Sequence, residues 1–416
     1  MKRLVYFCNC LIRPTGHVDP FLVTEWPWLT EAFDRVDVVG ERGVATLDKE
    51  PTKTLAFRSE PFTGLLAALK LPLRKELYRE LWRLLREGKA SLGNVLRLIR
   101  FTWRGLCLYH YAKPLLTGYE KPTLYSFWLS FDGYAAALCH RKCPEAHFVA
   151  RGHAFDVDVE RTPMNPYLMK QMMVDEADGI YLISKLAREQ LMAYMQGRAP
   201  EEKIHILPVG SSGEPVQELR PVPRFTQGVL RVISCSAVLP IKQLPVLVDA
   251  LAQWEGMPLH WLHVGGGEGF ADLQTYADEK LSSKENVVFE LRGHMDNKEV
   301  NAMYADKSFD VFINTSRKEG TPVSIMEAMR FGTLIIAPDV GGIPELVTPD
   351  VGWLYDPSEG AEGVVDALKK LAALTPEEDA QMRENARRRW NENYCCAEIL
   401  PRMFPEAKTL SASKTV

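Results

Sequence analysis

The sequence predicts an α/β protein made of two Rossmann-like domains, each a parallel sheet with crossover helices, and three observations carry that expectation. The chain has 416 residues, more than one hydrophobic core usually serves. Short apolar runs alternate with helical patterns through most of its length, as strand–helix–strand units require. The alternation stops once, where Ser211, Ser212, Gly213, Pro215, Pro221 and Pro223 make a linker. The expected layout is a first domain over 1–210, a linker over 211–228 and a second domain over 229–390. A helix over 391–405 is expected to return to the first domain, and 406–416 to fray as a small polar tail.

Strands are expected in the first domain over 3–8, 36–39, 124–127, 147–150, 179–183 and 205–208, with a helix over 21–33 after the first. The second domain reads more clearly. Strands fall over 231–236, 260–264, 287–291, 311–314 and 334–338, and helices over 244–254, 270–280, 298–305 and 323–331. Gly332 follows the last helix, as a helix C-terminus often requires. Two such sheets put a cleft beside the carboxyl ends of their strands, where ligands bind.

Composition excludes several classes. With 46% hydrophobic and 25% charged residues the chain is neither disordered nor collagen-like. A net charge of −4 gives no global reason to expect nucleic acid. The eight cysteines show no disulfide framework and fit a reducing compartment. Cys139 and Cys143 have a metal-like spacing but no second ligand pair, so a metal site is not expected. The apolar run after Met1, Lys2 and Arg3 is too short for a secretory signal, and no stretch suits a bilayer span. A cytoplasmic protein is expected, with peripheral contact at the inner membrane face left open.

The chemistry concentrates in 312–345. A strand ends near Asn314 and a helix begins near Pro322, with Thr321 placed to cap it. The free amides of Thr321, Val323 and Ser324, aided by the helix dipole, would hold a phosphate or pyrophosphate. Glu319 precedes this helix and Glu327 lies inside it, with seven residues between them. Each could hold a polyol, one a sugar and the other a ribose.

This spacing, with Glu319-Gly320-Thr321-Pro322 before it and Gly341-Gly342-x-Pro344-Glu345 after it, resembles glycosyltransferase family 4 (glycosyl transferases group 1), of the GT-B fold. The resemblance covers essentially the whole second domain. It implies two Rossmann-like domains facing each other across a cleft, and a retaining enzyme with no cofactor, using a nucleotide-diphosphate sugar as co-substrate. Lys242, in 234–244, matches a lysine that contacts the donor phosphates, where an ammonium offsets charge on the departing diphosphate. Many relatives carry an arginine five residues earlier, and here that position is Ala237. Gly266, in the glycine turn 263–267, and Arg292, after the next strand, match positions near the donor and its base.

In the first domain, 150–161 resembles a subset of members with an Arg-x-His motif, which makes His153 the candidate near the reacting centre and Arg151 and Asp156 its neighbours. Gly16 lies where relatives bring backbone to the diphosphate or acceptor. By this resemblance Glu319 holds the donor sugar, Glu327 the ribose, and His153 orients the sugar. The donor's own phosphate takes the acceptor proton, without divalent metal. The acceptor is expected to be a saccharide or polyprenyl-linked, in bacterial cell-surface polysaccharide assembly. A catalytically silent subunit and a nucleotide-sugar epimerase are the alternatives. A NAD-dependent enzyme is disfavoured because no Gly-x-Gly-x-x-Gly follows the first strand.

One stretch stands apart. From Lys70 to Arg104 there are ten Lys/Arg against three Glu. Leu77, Leu81, Leu84 and Leu85 fall on one helical face, as do Leu92, Val95, Leu96 and Ile99. Helices packed on the sheet with a solvated basic face, and a surface that meets anionic lipid, are both expected readings.

Overall fold

The structure, a computed structural model, describes residues 2–8, 20–50, 55–117, 121–158, 168–218, 228–306 and 309–410. It divides into two units, Met1–Pro208 with Ile399–Val416, and Val209–Glu398.

The first unit holds strands β1 (Arg3–Phe7), β2 (Arg35–Gly40), β3 (Gly43–Thr46), β4 (Thr123–Ser126), β5 (Phe148–Gly152), β6 (Gly179–Leu182) and β7 (Ile204–Ile206). Their spatial order is β3-β2-β1-β4-β5-β6-β7, and every pairing is parallel except β2 with β3. The helices are α1 (Pro20–Ala32), α2 (Thr63–Lys70), α3 (Lys75–Arg86), α4 (Leu92–Ala112), α5 (Phe131–Lys142), α6 (Ala154–Val157), α7 (Lys170–Glu176) and α8 (Lys185–Met195). Continuous apolar runs suit strands covered on both faces, and β4 and β5 are buried throughout. Strand β3 was not expected. It is four residues long and makes an antiparallel hairpin with β2, so it carries too short a pattern to read.

A buried polar cluster crosses this sheet. Glu25 of α1 accepts from Arg151 at 2.6 Å, Tyr6 at 3.0 Å and Tyr125 at 3.2 Å. Burial pushes the Glu25 carboxyl up against the pull of Arg151. Losing either member of such a pair costs more than the pair itself contributes.

The second unit is a six-stranded parallel sheet of β8 (Leu230–Cys235), β9 (Leu259–Val264), β10 (Val287–Arg292), β11 (Val311–Ile313), β12 (Leu334–Pro338) and β13 (Gly352–Tyr355), in the order β10-β9-β8-β11-β12-β13. Its helices are α9 (Leu244–Gln253), α10 (Phe270–Leu281), α11 (Asn297–Asp306), α12 (Val323–Arg330), α13 (Ile343–Leu346), α14 (Ala361–Ala373) and α15 (Pro376–Asn393). Successive strand side chains alternate between two cores. Val232, Val311, Ile313, Leu334 and Ile336 join α9, α10 and α14 on one face. Ile233, Phe312 and Ile335 join α11, α12 and α15 on the other. Doubly wound packing follows from that alternation.

Three expectations about segments change. Ser211, read as linker, is packed within the second unit: it bridges Cys395 and accepts from the Trp390 indole at 2.7 Å. The helix expected over 391–405 is not continuous, because α15 ends at Asn393 and short turns follow. Phe404 in those turns packs on Trp28, Phe33 and Tyr125. The start of the tail is held. Glu406 accepts from the Thr123 hydroxyl at 2.8 Å and sits 3.0 Å from the His147 ring, while 411–416 lie outside the described residues. No helix among the described residues is long and apolar enough to cross a membrane.

Candidate active site

In the second unit the strand order turns around between β8 and β11, the topological switch point where ligands bind in open α/β sheets. The chain leaves β8 through a turn at Pro240–Lys242, and Gln243 (φ 47°) sends it into α9. The chain leaving β11 runs alongside. The Thr315 hydroxyl donates to the Lys242 carbonyl and the Arg317 amide to that of Ile241, both at 2.9 Å. These two bonds hold Lys242 against the loop that carries Glu319.

Glu319 is the convergence point. Its Oε1 is bonded to the Lys242 ammonium and accepts from the Ser316 hydroxyl at 2.7 Å. Ser316 is itself set by the Asn314 side chain, which accepts from the Ser316 amide at 2.9 Å. Both contacts fall on Oε1, so Oε2 has no partner among the described residues. Sequence reasoning found Lys242 and Glu319 but not Ser316. Its signal was there, a hydroxyl three residues before a carboxylate in a loop.

The backbone behind this carboxylate is held by the glycine pair. The Gly342 amide donates to the Gly320 carbonyl at 2.9 Å. Gly341 sits at φ +58°, and a Cβ there would come within 1.9 Å of the Glu319 carbonyl oxygen. The two glycine-bearing motifs of 312–345 are thus the two sides of one close backbone contact.

Helix α12 begins differently from expectation. Pro322 is the capping residue, with extended backbone, and its carbonyl accepts from the Ile325 amide at 3.2 Å. Thr321 therefore does not cap the helix, and its buried hydroxyl has no hydrogen-bond partner among the described residues. Proline offers no side-chain acceptor, so the first amides, of Val323 and Ser324, also have none among the described residues. An uncapped helix start with unpaired donors is a ready anion site.

One turn inside α12, Glu327 is buried and accepts from Asn297 Nδ2 at 2.5 Å. Asn297 opens α11 and receives the Asn301 side-chain amide at 2.8 Å. Burial pushes the Glu327 carboxyl above its ordinary value, with Asn297 and Arg330 pulling it back. Sequence reasoning missed Asn297, because nothing in a helix-opening asparagine points to a partner thirty residues away.

The glycine turn after β9 is tight against the β8 loop. Gly265 has φ +140°, and a Cβ there would lie 1.8 Å from the Ser236 carbonyl oxygen. Gly266 accepts from the Val238 amide at 2.9 Å. Arg292 joins through its carbonyl, which accepts from the Gly265 amide at 3.0 Å, while its guanidinium pairs with Glu290 at 2.5 Å. Behind the turn, His263 is buried with Nδ1 2.9 Å from the Ser234 hydroxyl, and burial lowers its pKa to about 4.

In the first unit, His153 follows β5 and precedes α6. Its ring lies 4.5 Å from both Phe127 and Trp128, and both ring nitrogens are buried without a hydrogen-bond partner among the described residues. Burial lowers its pKa, which favours neutral imidazole. The Asp156 carboxylate accepts from the His153 amide at 3.0 Å, and the same oxygen lies 3.7 Å from the ring Nδ1. Arg151 is withdrawn into its buried pair with Glu25. Asp156 and Asp158 form an Asp-x-Asp pair. Gly16 lies outside the described residues.

Residues 216–389, which contain Lys242, Glu319, Glu327 and both glycine motifs, match the family model described as glycosyl transferases group 1. The second unit belongs to that family. The chain is 30% identical over 257 residues to WcaL of Escherichia coli K12, a glycosyltransferase provisionally assigned to colanic acid biosynthesis, covering 58% of this chain and 59% of that protein. It is 26% identical over 268 residues to the amylovoran biosynthesis glycosyltransferase AmsK of Erwinia amylovora, covering 61% and 63%. The matched stretches thus span about three-fifths of these curated relatives. The crystal structure of Anabaena Alr3699/HepE in complex with UDP-glucose superposes with a TM-score of 0.59 at 16% identity, over 99% of this chain and 100% of that one. The fold is GT-B.

Proposed function

We propose that the chain is a retaining glycosyltransferase of family 4 that moves a sugar from a nucleotide-diphosphate sugar to a saccharide or polyprenyl-linked acceptor in bacterial surface-polysaccharide assembly. One observation carries the reading: Lys242, Ser316 and Glu319 converge on a loop that runs into the unpaired amides opening α12. An ammonium and two amides suit a diphosphate, and a carboxylate with one free oxygen suits sugar hydroxyls. The names of WcaL, AmsK and the UDP-glucose complex of HepE point the same way.

In this reading the donor diphosphate rests on the amides of Val323 and Ser324. Lys242 turns from Glu319 toward the phosphates, and Ser316 keeps the carboxylate in place. Glu327, steadied by Asn297, takes the ribose hydroxyls. The bond from the sugar's anomeric carbon to the phosphate oxygen breaks. The acceptor oxygen bonds the same carbon on the same face, and its proton passes to the departing diphosphate. Lys242 and the helix amides offset the growing negative charge. Buried His153, beside Asp156, is the first unit's candidate for orienting the sugar, and no divalent metal is required.

Purified protein is to be tested against a panel of nucleotide sugars by thermal shift and then for transfer. Stabilisation by one donor and product of retained configuration are expected; turnover undiminished in both Lys242→Ala and Glu319→Ala would reject the site. A second reading, a silent donor-binding subunit, is favoured by Ala237, which is exposed where many relatives carry arginine. Donor binding without hydrolysis or transfer by the full chain would select it.

A further inference from the structure

Helices α2, α3 and α4 of the first unit present apolar side chains to solvent. On α3, Tyr78, Trp82 and Leu85 follow one another at helical spacing, and Trp82 is 64% exposed. The core side of the same helix is Leu77, Glu80 and Leu84. On α4 the pattern repeats. Leu92, Leu96, Ile99 and Trp103 form an outward stripe, with Leu92 77% exposed, while Leu98, Phe101 and Thr102 face inward. Helix α2 packs on α4, where the Trp103 indole donates to the Gly64 carbonyl at 3.0 Å. It adds Leu65 and Leu69, both more than half exposed. The faces expected from the sequence are therefore split, with Leu77 and Leu84 buried but Leu85, Leu92 and Leu96 outside.

Each stripe has a cationic flank. Lys75, Arg79 and Arg86 lie beside the first stripe at helical spacing, and Arg97 and Arg100 beside the second. All are exposed, and none makes an ion pair or hydrogen bond among the described residues. Neighbouring Arg83, by contrast, is bound to Glu80 and Glu87. In a chain of net charge −4 these unpaired cations are concentrated around exposed Trp and Leu. Apolar side chains with tryptophan flanked by Lys and Arg match the boundary between acyl chains and anionic headgroups. A soluble protein rarely leaves so many large apolar side chains together in water.

We propose that this α2–α4 face docks the protein on a bilayer containing anionic lipid, the stripes entering the acyl boundary and the five cations meeting headgroup phosphates. The proposal deepens the reading of the acceptor as polyprenyl-linked, since such a lipid lies in that bilayer. The test is co-flotation of the full chain with phosphatidylcholine vesicles with and without phosphatidylglycerol. Binding only to the anionic vesicles, weakened by salt, is expected.

Two variants separate the components, Leu92→Ser/Leu96→Ser/Ile99→Ser and Arg97→Gln/Arg100→Gln. Each is expected to bind at least about tenfold more weakly, with unchanged unfolding temperature and unchanged transfer to a water-soluble acceptor. No flotation of the wild type at low salt, equal binding to neutral vesicles, or variants that float like the wild type would overturn the proposal. So would a wild-type dimer that the apolar variant splits, because a second copy would then cover the face. Vesicle binding without any donor-dependent transfer leaves the surface standing and removes the proposed reaction; transfer without vesicle binding does the reverse.

Discussion

Glu319 shows how much a single carboxylate can organise. With Lys242 and Ser316 on one oxygen and the other without a partner among the described residues, it holds the lysine in place, and in the proposed reaction the donor diphosphate would compete for that ammonium. Lys242→Ala and Glu319→Ala are each expected to lower turnover by about 10²–10³ with little change in thermal unfolding. Their effects should be non-additive in a double-mutant cycle, because the two side chains touch. Glu327 makes a prediction of opposite kind. Its folded pKa is raised by burial, so the folded state prefers the protonated acid and loses stability as pH rises through that pKa. Glu327→Gln keeps an oxygen for Asn297 and is expected to raise the unfolding midpoint at neutral pH, an advantage that vanishes near pH 4. Donor affinity should fall by about tenfold or more, as an amide replaces a charged acceptor. His263 runs the other way. Its pKa falls from 6.5 to about 4, so the unfolded chain binds the proton first and stability is lost as pH drops through that window. The loss is about 3 kcal/mol at one pKa unit per 1.36 kcal/mol, measurable as acid sensitivity in the wild type that His263→Gln lacks.

Helix α12 and the segments around it work as one element. Its start has no side-chain cap because proline occupies that position, which costs some helix stability and leaves donors for an anion. The glycine pair braces the loop from behind. Gly341→Ala would introduce a Cβ 1.9 Å from the Glu319 carbonyl oxygen at a φ of +58°. Left-handed backbone alone costs a non-glycine residue about 1 kcal/mol, and the clash adds to it. The expected result is destabilisation by about 2 kcal/mol or more in denaturant titration, with weakened donor binding. Unchanged affinity in a folded Gly341→Ala protein would show that this contact does not position Glu319.

For the molecule as a whole, the donor is expected to behave as a stabilising ligand. A nucleotide sugar at a hundredfold excess over its Kd should add about 2.7 kcal/mol to the stability of the folded state, read as a raised midpoint. Transfer is expected to survive a chelator. Loss of transfer on chelation, restored by a divalent cation, would instead point to metal-dependent chemistry.

The order of strands and helices was legible because buried parallel strands are nearly all apolar and amphipathic helices repeat at 3.6 residues. The 312–345 stretch was legible because loop chemistry is local: Glu319, Gly320 and the helix start lie within a few residues of one another. The family resemblance added Lys242. Contacts between distant segments were not legible. Asn297 beneath Glu327, Ser211 against Trp390, Arg151 turned into Glu25 and Phe404 among Trp28, Phe33 and Tyr125 all depend on which surfaces packing brings together. The same holds for the leucines of α3 and α4. Their helical period was visible, but only packing against the sheet decided which went inside, since periodicity defines a face and tertiary contact decides what covers it.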